Sequence, residues 1–160
     1  MGNEEVERIK EIFQNNGSEF QCYEHEPVHT SEDAARVRKS KLSEGVKAIV
    51  LKGRDSQNFY VADVAADKKV DFKKLALAIG IKTLTMASAE EVLTITGCEV
   101  GGVPPLGHKT NIPIFVDKGV FENEYNEFNA GLKTYSVRVK TINFKKTMEQ
   151  IGAREAEFSK

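Results

Sequence analysis

The chain opens on a helical pattern. Val6, Ile9 and Phe13 recur at three- and four-residue intervals among charged neighbours, which predicts a helix near residues 3–16, capped by Asn3 and stopped by Gly17. Glu19–Glu24 then reads as a short strand with Phe20 and Cys22 on one face. Thr30-Ser31-Glu32-Asp33 is a helix-start signature in which Asp33 returns a capping bond, and a short helix to about Arg38 follows. The apolar run Ala48-Ile49-Val50-Leu51 makes Gly45–Gly53 a strand with burial predicted on both faces. Asn58–Ala65, carrying Phe59, Val61 and Val64, pairs with it across the polar turn Arg54-Asp55-Ser56-Gln57.

Further along, Asp71 caps a helix bearing Phe72, Leu75, Ala76 and Ile79, and Gly80 ends it. Ile81–Met86 reads as a strand, and Ser88 with Glu91 forms a capping box for a helix that Gly97 stops. A strand near Glu99–Gly101, an irregular Gly/Pro segment and a strand at Ile112–Val116 come next. Tyr135, Val137 and Val139 alternate with Ser136 and Arg138, marking Thr134–Lys140 as a half-buried strand, and a helix over Asn143–Ile151 ends at Gly152. Strands that follow one another this closely favour antiparallel pairing. The expected fold class is α+β: one domain over residues 1–160, with a mixed, largely antiparallel sheet curled towards a barrel and flanked by helices.

Composition narrows the function. The chain has 160 residues, and its formal charge of −1 argues against a protein that coats nucleic acid indiscriminately. The charge is unevenly placed: Arg36, Arg38, Lys39 and Lys41, with Lys47, Lys52 and Arg54, form a basic stretch, whereas Glu122, Glu124 and Glu127 are acidic. Such asymmetry steers a polyanion to one side or, equally, marks a solvated helix face. Cys22 and Cys98 are far apart and form no CxxC pair, so they read as reduced thiols. The N-terminus is too acidic for a signal peptide, Val6 stands where a myristoylation motif needs Ser or Thr, and no apolar run approaches the ~20 residues of a membrane span. A soluble cytoplasmic protein without membrane contact is expected.

The most unusual segment is Val100-Gly101-Gly102-Val103-Pro104-Pro105-Leu106-Gly107-His108. Its glycines permit positive φ and close backbone approach, and its prolines stiffen it. Such a loop either presents backbone N–H groups to an oxyanion, hydroxyl or phosphate, or is a rigid turn. Lys47 starts the strand with the apolar centre, so its ammonium either reaches a cavity or snorkels to solvent. Tyr23-Glu24-His25-Glu26-Pro27-Val28-His29-Thr30 has the residue types of a metal site without its spacing, and suits a ligand-contacting loop with Tyr23 stacking or donating. No Ser-His-Asp arrangement, Walker loop or dinucleotide fingerprint stands out. Catalysis would therefore rest on positioning, electrostatics or a group of the substrate.

These residues together resemble the YbaK/ProX family of aminoacyl-tRNA deacylases, related to the editing domain of prolyl-tRNA synthetases. Gly-Gly-Val-Pro-Pro-Leu-Gly-His at 101–108 is similar to the family's glycine-to-proline loop, and Gly-Val-Lys-Ala-Ile-Val-Leu-Lys at 45–52 resembles the strand with its essential lysine, here Lys47. The Tyr-Glu-His-Glu-Pro stretch at 23–27 and Thr-Ser-Glu-Asp-Ala-Ala at 30–35 resemble the segment before that strand. The resemblance implies hydrolysis of the ester between a wrong amino acid, Ala or Cys, and tRNA for proline. It implies no metal and no organic cofactor, aminoacyl-tRNA as partner, and prolyl-tRNA synthetase as a candidate partner. It places Lys47 and Gly101 in catalysis and Tyr23, Thr30, Gly102, Val103, Pro104, Pro105, His108 and Asn129 in substrate binding. Where the cysteinyl-tRNA branch carries a Ser-Gly-Gly-Lys-Arg-Gly-like segment, this chain has Asn129-Ala130-Gly131-Leu132-Lys133-Thr134, a departure that leaves amino-acid specificity open. A non-catalytic module for tRNA or a synthetase, or a binder of small nucleotides, is the competing expectation.

Overall fold

Two sheets frame the structure, a computed structural model that describes residues 2–54 and 56–160. In the smaller sheet β7 (Tyr135–Lys140) lies between β1 (Phe20–Glu24) and β6 (Tyr125–Asn129), antiparallel to both. The larger sheet runs in the order β4 (Leu84–Met86), β2 (Val46–Gly53), β3 (Phe59–Ala65), β5 (Ile114–Asp117), β8 (Arg154–Ala156). Its first three strands are antiparallel, and β5 and β8 join in parallel. The β2–β3 pairing anticipated from the sequence is present, although Asp55 of the intervening turn lies outside the described residues. The curl towards a barrel is not: among the described residues the sheets share side-chain packing but pair through backbone only at an isolated bridge between Gly45 and Glu127, and do not close. β4 pairs with β2 only at Leu51–Gly53, so the earlier part of β2 remains an open edge.

Helix starts follow local chemistry. Thr30 Oγ1 accepts the Asp33 N–H at 2.9 Å to begin α2 (Ser31–Arg38), and the Asp71 carboxylate accepts from Lys73 and Lys74 to begin α3 (Phe72–Ile79). Ser88 and Glu91 exchange both bonds of a capping box at α4 (Ala89–Thr96). α1 (Asn3–Asn15) differs from expectation. Its cap position is Gly2, at φ 80°, with no side-chain bond, while Glu4 and Glu5 place negative charge in its first turn.

α1 and α5 (Thr141–Gln150) pack on the smaller sheet through Ile9, Phe13, Phe128, Val137 and Phe144, all fully buried. α3 covers the larger sheet with Leu75 against Leu51, Val64 and Phe158. A third cluster joins Val50, Val61 and Val92 to Val103 of the Gly/Pro loop. The double-sided burial expected of β2 holds at Val50 and Leu51, which enter different core clusters, and runs along most of β3, while Lys47–Ile49 of β2 stay half-buried at the open edge. The stretch Glu99–Gly101 is a turn rather than a strand, because Gly101 adopts φ 92°. β6 and β8 lacked a period-two signal and were not anticipated. Both cysteines are free, and burial pushes the Cys98 thiol up to about 12.

Asp63 is the exception inside the larger sheet. It sits mid-strand between Ala48 and Val116, fully buried, and neither carboxylate oxygen has a hydrogen-bond partner among the described residues. Burial holds its pKa well above the ordinary 3.8, so the group keeps its proton in the folded chain. The unfolded chain releases that proton sooner, so this group makes stability fall as pH rises above the ordinary carboxylate value, by ~1.4 kcal/mol per pH unit until the folded group ionises. Asp63→Val removes the effect. The melting temperature of the variant should exceed that of the wild type by more at about pH 8 than at about pH 4; equal increments at the two values would contradict a buried, protonated Asp63.

Candidate active site

The open edge of β2 borders a cavity of about 220 Å³. Three further segments close around it. α2 contributes Thr30, Ala34 and Arg38, spaced four residues apart and hence on one face; the Gly/Pro loop contributes Gly101 and Val103; the end of β6 contributes Asn129. Lys47 is half-buried in the cavity wall. Loss of hydration is the main cause that lowers the pKa of its ammonium; Glu32 and Asp67 oppose the shift, and Lys69 adds to it.

The loop is held by its carbonyls. Asn129 Nδ2 donates to Gly101 O at 2.7 Å, and Gly131 N–H donates to Gly102 O at 3.0 Å. The Gly102 N–H is already used, donating to Glu99 O at 2.9 Å, whereas the N–H groups of Gly101 and Val103 donate to no protein acceptor among the described residues. Those two residues line the cavity, so two stiffly held donors remain for a ligand. Glycine is favoured at both positions for different reasons. Gly101 has φ 92°, and a Cβ on Gly102 would stand 3.1 Å from the Gly131 carbonyl oxygen.

Asn129 is itself held by Arg38. The guanidinium, 5% exposed, donates from Nη2 to Asn129 Oδ1 at 2.7 Å and from Nε to Ser136 Oγ at 2.9 Å, with Glu127 Oε2 4.0 Å away. Glu127 is 1% exposed and also accepts from Arg138. Tyr23 stands beside this pair, its phenol pKa raised first by burial and then by the Glu127 charge. Ser136 Oγ lies 2.7 Å from His25 Nε2, the contact a nucleophile makes with a base. Ser136, however, is fully buried, does not line the cavity and takes the Arg38 bond, so the pair fixes the arginine.

Of the residues singled out from sequence, Lys47, Thr30, Gly101, Val103 and Asn129 share the cavity. Tyr23, Gly102, Pro104, Pro105 and His108 do not line it. Tyr23 faces Glu127 behind the cavity wall, and Gly102 spends its polar groups inside the loop. His108 turns inward: its Nε2–H donates to the Pro104 carbonyl at 2.6 Å, and burial lowers its pKa to about 4, so it braces the loop as a neutral ring. Arg38 was missed as a site residue because it belongs to a basic stretch that reads as a solvated face. The four-residue spacing from Thr30 through Ala34 was the available signal. That stretch is also less basic in space than in sequence, since Arg36 pairs with Glu26 and Asp33, and Lys52 with Glu91.

Residues 25–147 match the aminoacyl-tRNA editing domain family, and the chain belongs to it. It is 32% identical over 142 residues to the "Multifunctional Ser/Thr-tRNA deacylase ProXp-y" of Escherichia coli K12, across 86% of this chain and 84% of that protein. It is also 32% identical over 115 residues to the proline–tRNA ligase of Thermosipho africanus, across 66% of this chain but 20% of the ligase. Among solved structures, a proposed trans-editing enzyme for prolyl tRNA synthetase superposes with a TM-score of 0.81 at 24% identity, covering 98% of this chain and 97% of that one. A hypothetical protein gives 0.84 at 24% identity, covering 96% and 99%. These two likenesses establish the shared fold.

The two arginines of α2 should behave differently on removal. Arg38→Ala leaves Glu127 with a buried charge short of one partner and should cost about 3 kcal/mol in urea unfolding. Arg36→Ala, at an exposed pair, should change stability by less than about 1 kcal/mol. Equal effects from the two substitutions would contradict the buried clamp.

Proposed function

We propose that residues 1–160 act as one editing domain that hydrolyses, in trans, the ester linking a small, wrong amino acid to tRNA. The observation that supports this reading is that Lys47, Gly101 and Val103 line one cavity, with the N–H groups of Gly101 and Val103 donating to no protein acceptor among the described residues. An aminoacyl ester needs little activation. Attack by water, or by a neighbouring ribose hydroxyl followed by water, puts negative charge on the carbonyl oxygen, and fixed donors with a nearby cation stabilise that charge. The carbon–oxygen bond to the ribose then breaks, the ribose oxygen takes a proton, and the amino acid leaves. Tyr23 and His108 act here by holding the wall and the loop, not by touching substrate.

A volume of about 220 Å³ falls below the range of roughly 300–1,000 Å³ typical of drug-sized ligand sites, so it suits a small side chain. Ala or Cys on tRNA for proline is the first reading. Thr30, Ser31 and Asn129 give the cavity wall hydroxyl and amide groups, which favours Ser and Thr as a second reading, in keeping with the name of the E. coli relative. Discrimination by one methylene is worth only ~1–3 kcal/mol, whereas a site built to bond a hydroxyl discriminates far more strongly. The setting proposed is cytoplasmic, with prolyl-tRNA synthetase as the partner that generates the substrate.

Purified protein should release amino acid from at least one of tRNAs charged with Ala, Cys, Ser or Thr, and Lys47→Ala should slow release by about 100-fold. The ratio of wild-type to variant rate should fall as pH rises into the lowered range of Lys47, where the ammonium loses its charge. Full activity in Lys47→Ala would remove the lysine from the mechanism. Salt-sensitive tRNA binding with no release from any of the four would leave a binding module in place of an enzyme.

A further inference from the structure

A second concavity begins where the first ends. Lys47 and Ile49 line both, and the second, of about 740 Å³, continues past them along α3. Lys69, Lys73 and Lys160 border it, and with Lys47 they bring four cationic side chains to one groove. None of the four is in a salt bridge among the described residues. The one side-chain carboxylate in the lining, Asp71, is spent on capping α3 and is held below its ordinary pKa, first by the Lys74 N–H. Glu32 and Asp67 act on Lys47 from outside the groove. Lys69 and Lys160 are fixed relative to each other by two backbone hydrogen bonds, at 3.0 and 2.8 Å. Apolar surface lies between the charges, from half-buried Phe72 and from Met86, which is 56% exposed.

We propose that this groove docks the single-stranded 3′ end of tRNA, with phosphates against Lys69, Lys73 and Lys160 and the terminal ester delivered to Lys47. The proposal rests on the editing function argued above. A compact anion would need a closed cradle; an open, elongated groove with cations along it and apolar side chains between them suits a sugar–phosphate strand with stackable bases. It also shows how a chain with net charge −1 takes a polyanion: four cations without a salt-bridge partner among the described residues line one groove beside the cavity, whereas Arg36 and Lys52 of the basic stretch are paired and Arg38 is buried.

The test is the salt dependence of uncharged tRNA binding, followed by fluorescence anisotropy. Lys69→Gln with Lys73→Gln should weaken binding about tenfold and flatten the log–log salt slope by about 1.4, the share of two single-strand phosphate contacts. Arginine at both positions should restore both quantities. A control pair on α5, Lys145→Gln with Lys146→Gln, removes the same charge from a helix that lines neither concavity and should leave the slope unchanged. An unaltered slope in the groove variant, equal weakening by the control pair, or no binding by the wild type would overturn the proposal. Amino-acid release by the wild type is measured in parallel. A changed slope without release keeps the groove and removes the editing function; release with an unchanged slope does the reverse.

Discussion

The Arg38 guanidinium, buried where α2 meets the smaller sheet, is the constraint on which the cavity depends. It reaches Asn129 on β6 and Ser136 on β7, and Asn129 in turn holds the carbonyl of Gly101. One cation thus sets the distance between helix, sheet and loop. Burying it is costly, and Glu127, Asn129 and Ser136 offset that cost with a charge and two directed hydrogen bonds. Without this clamp the loop would keep its prolines and the Gly131 N–H bond to the Gly102 carbonyl, but Asn129 would lose the partner that holds it against Gly101.

The cavity itself follows from an incomplete sheet. β4 stops at Leu51 on β2, and the edge upstream is covered by α2 and the Gly/Pro loop instead of another strand. An exposed edge normally invites pairing with another chain. Here the edge carries Lys47, whose charge would oppose such pairing, and the loop and helix leave room beside it for a ligand. The bridge between Gly45 and Glu127 joins the two sheets at this same point, so the site lies at the seam of the fold.

Much of this was legible in the residues themselves. Helix starts at Thr30, Asp71 and Ser88 were readable because capping is local chemistry, and the β2–β3 pair because both strands carry dense apolar runs. β6 was not, since Tyr125-Asn126-Glu127-Phe128-Asn129 has no alternation to announce a strand, and its buried polar residues are explained only by tertiary partners such as the Val120 carbonyl and Arg138. Arg38 was hidden for the same reason: four basic residues between 36 and 41 look alike in sequence, and tertiary contacts single out one. His108 drew notice because a histidine beside a glycine–proline loop invites a ligand role, whereas the ring turns in to brace Pro104 and does not line the cavity.

The central claim is spatial, that Lys47 and the loop amides act on one carbonyl group. The most direct measurement is a crystal structure with a non-hydrolysable amide analogue of a 3′-aminoacyl adenosine. The account predicts its carbonyl oxygen within hydrogen-bonding reach of the Lys47 ammonium and of a Gly101 or Val103 N–H, with the 5′ end of the adenosine leading towards Lys69. An analogue seated elsewhere, or seated in the cavity with its carbonyl turned away from both donors, would contradict it.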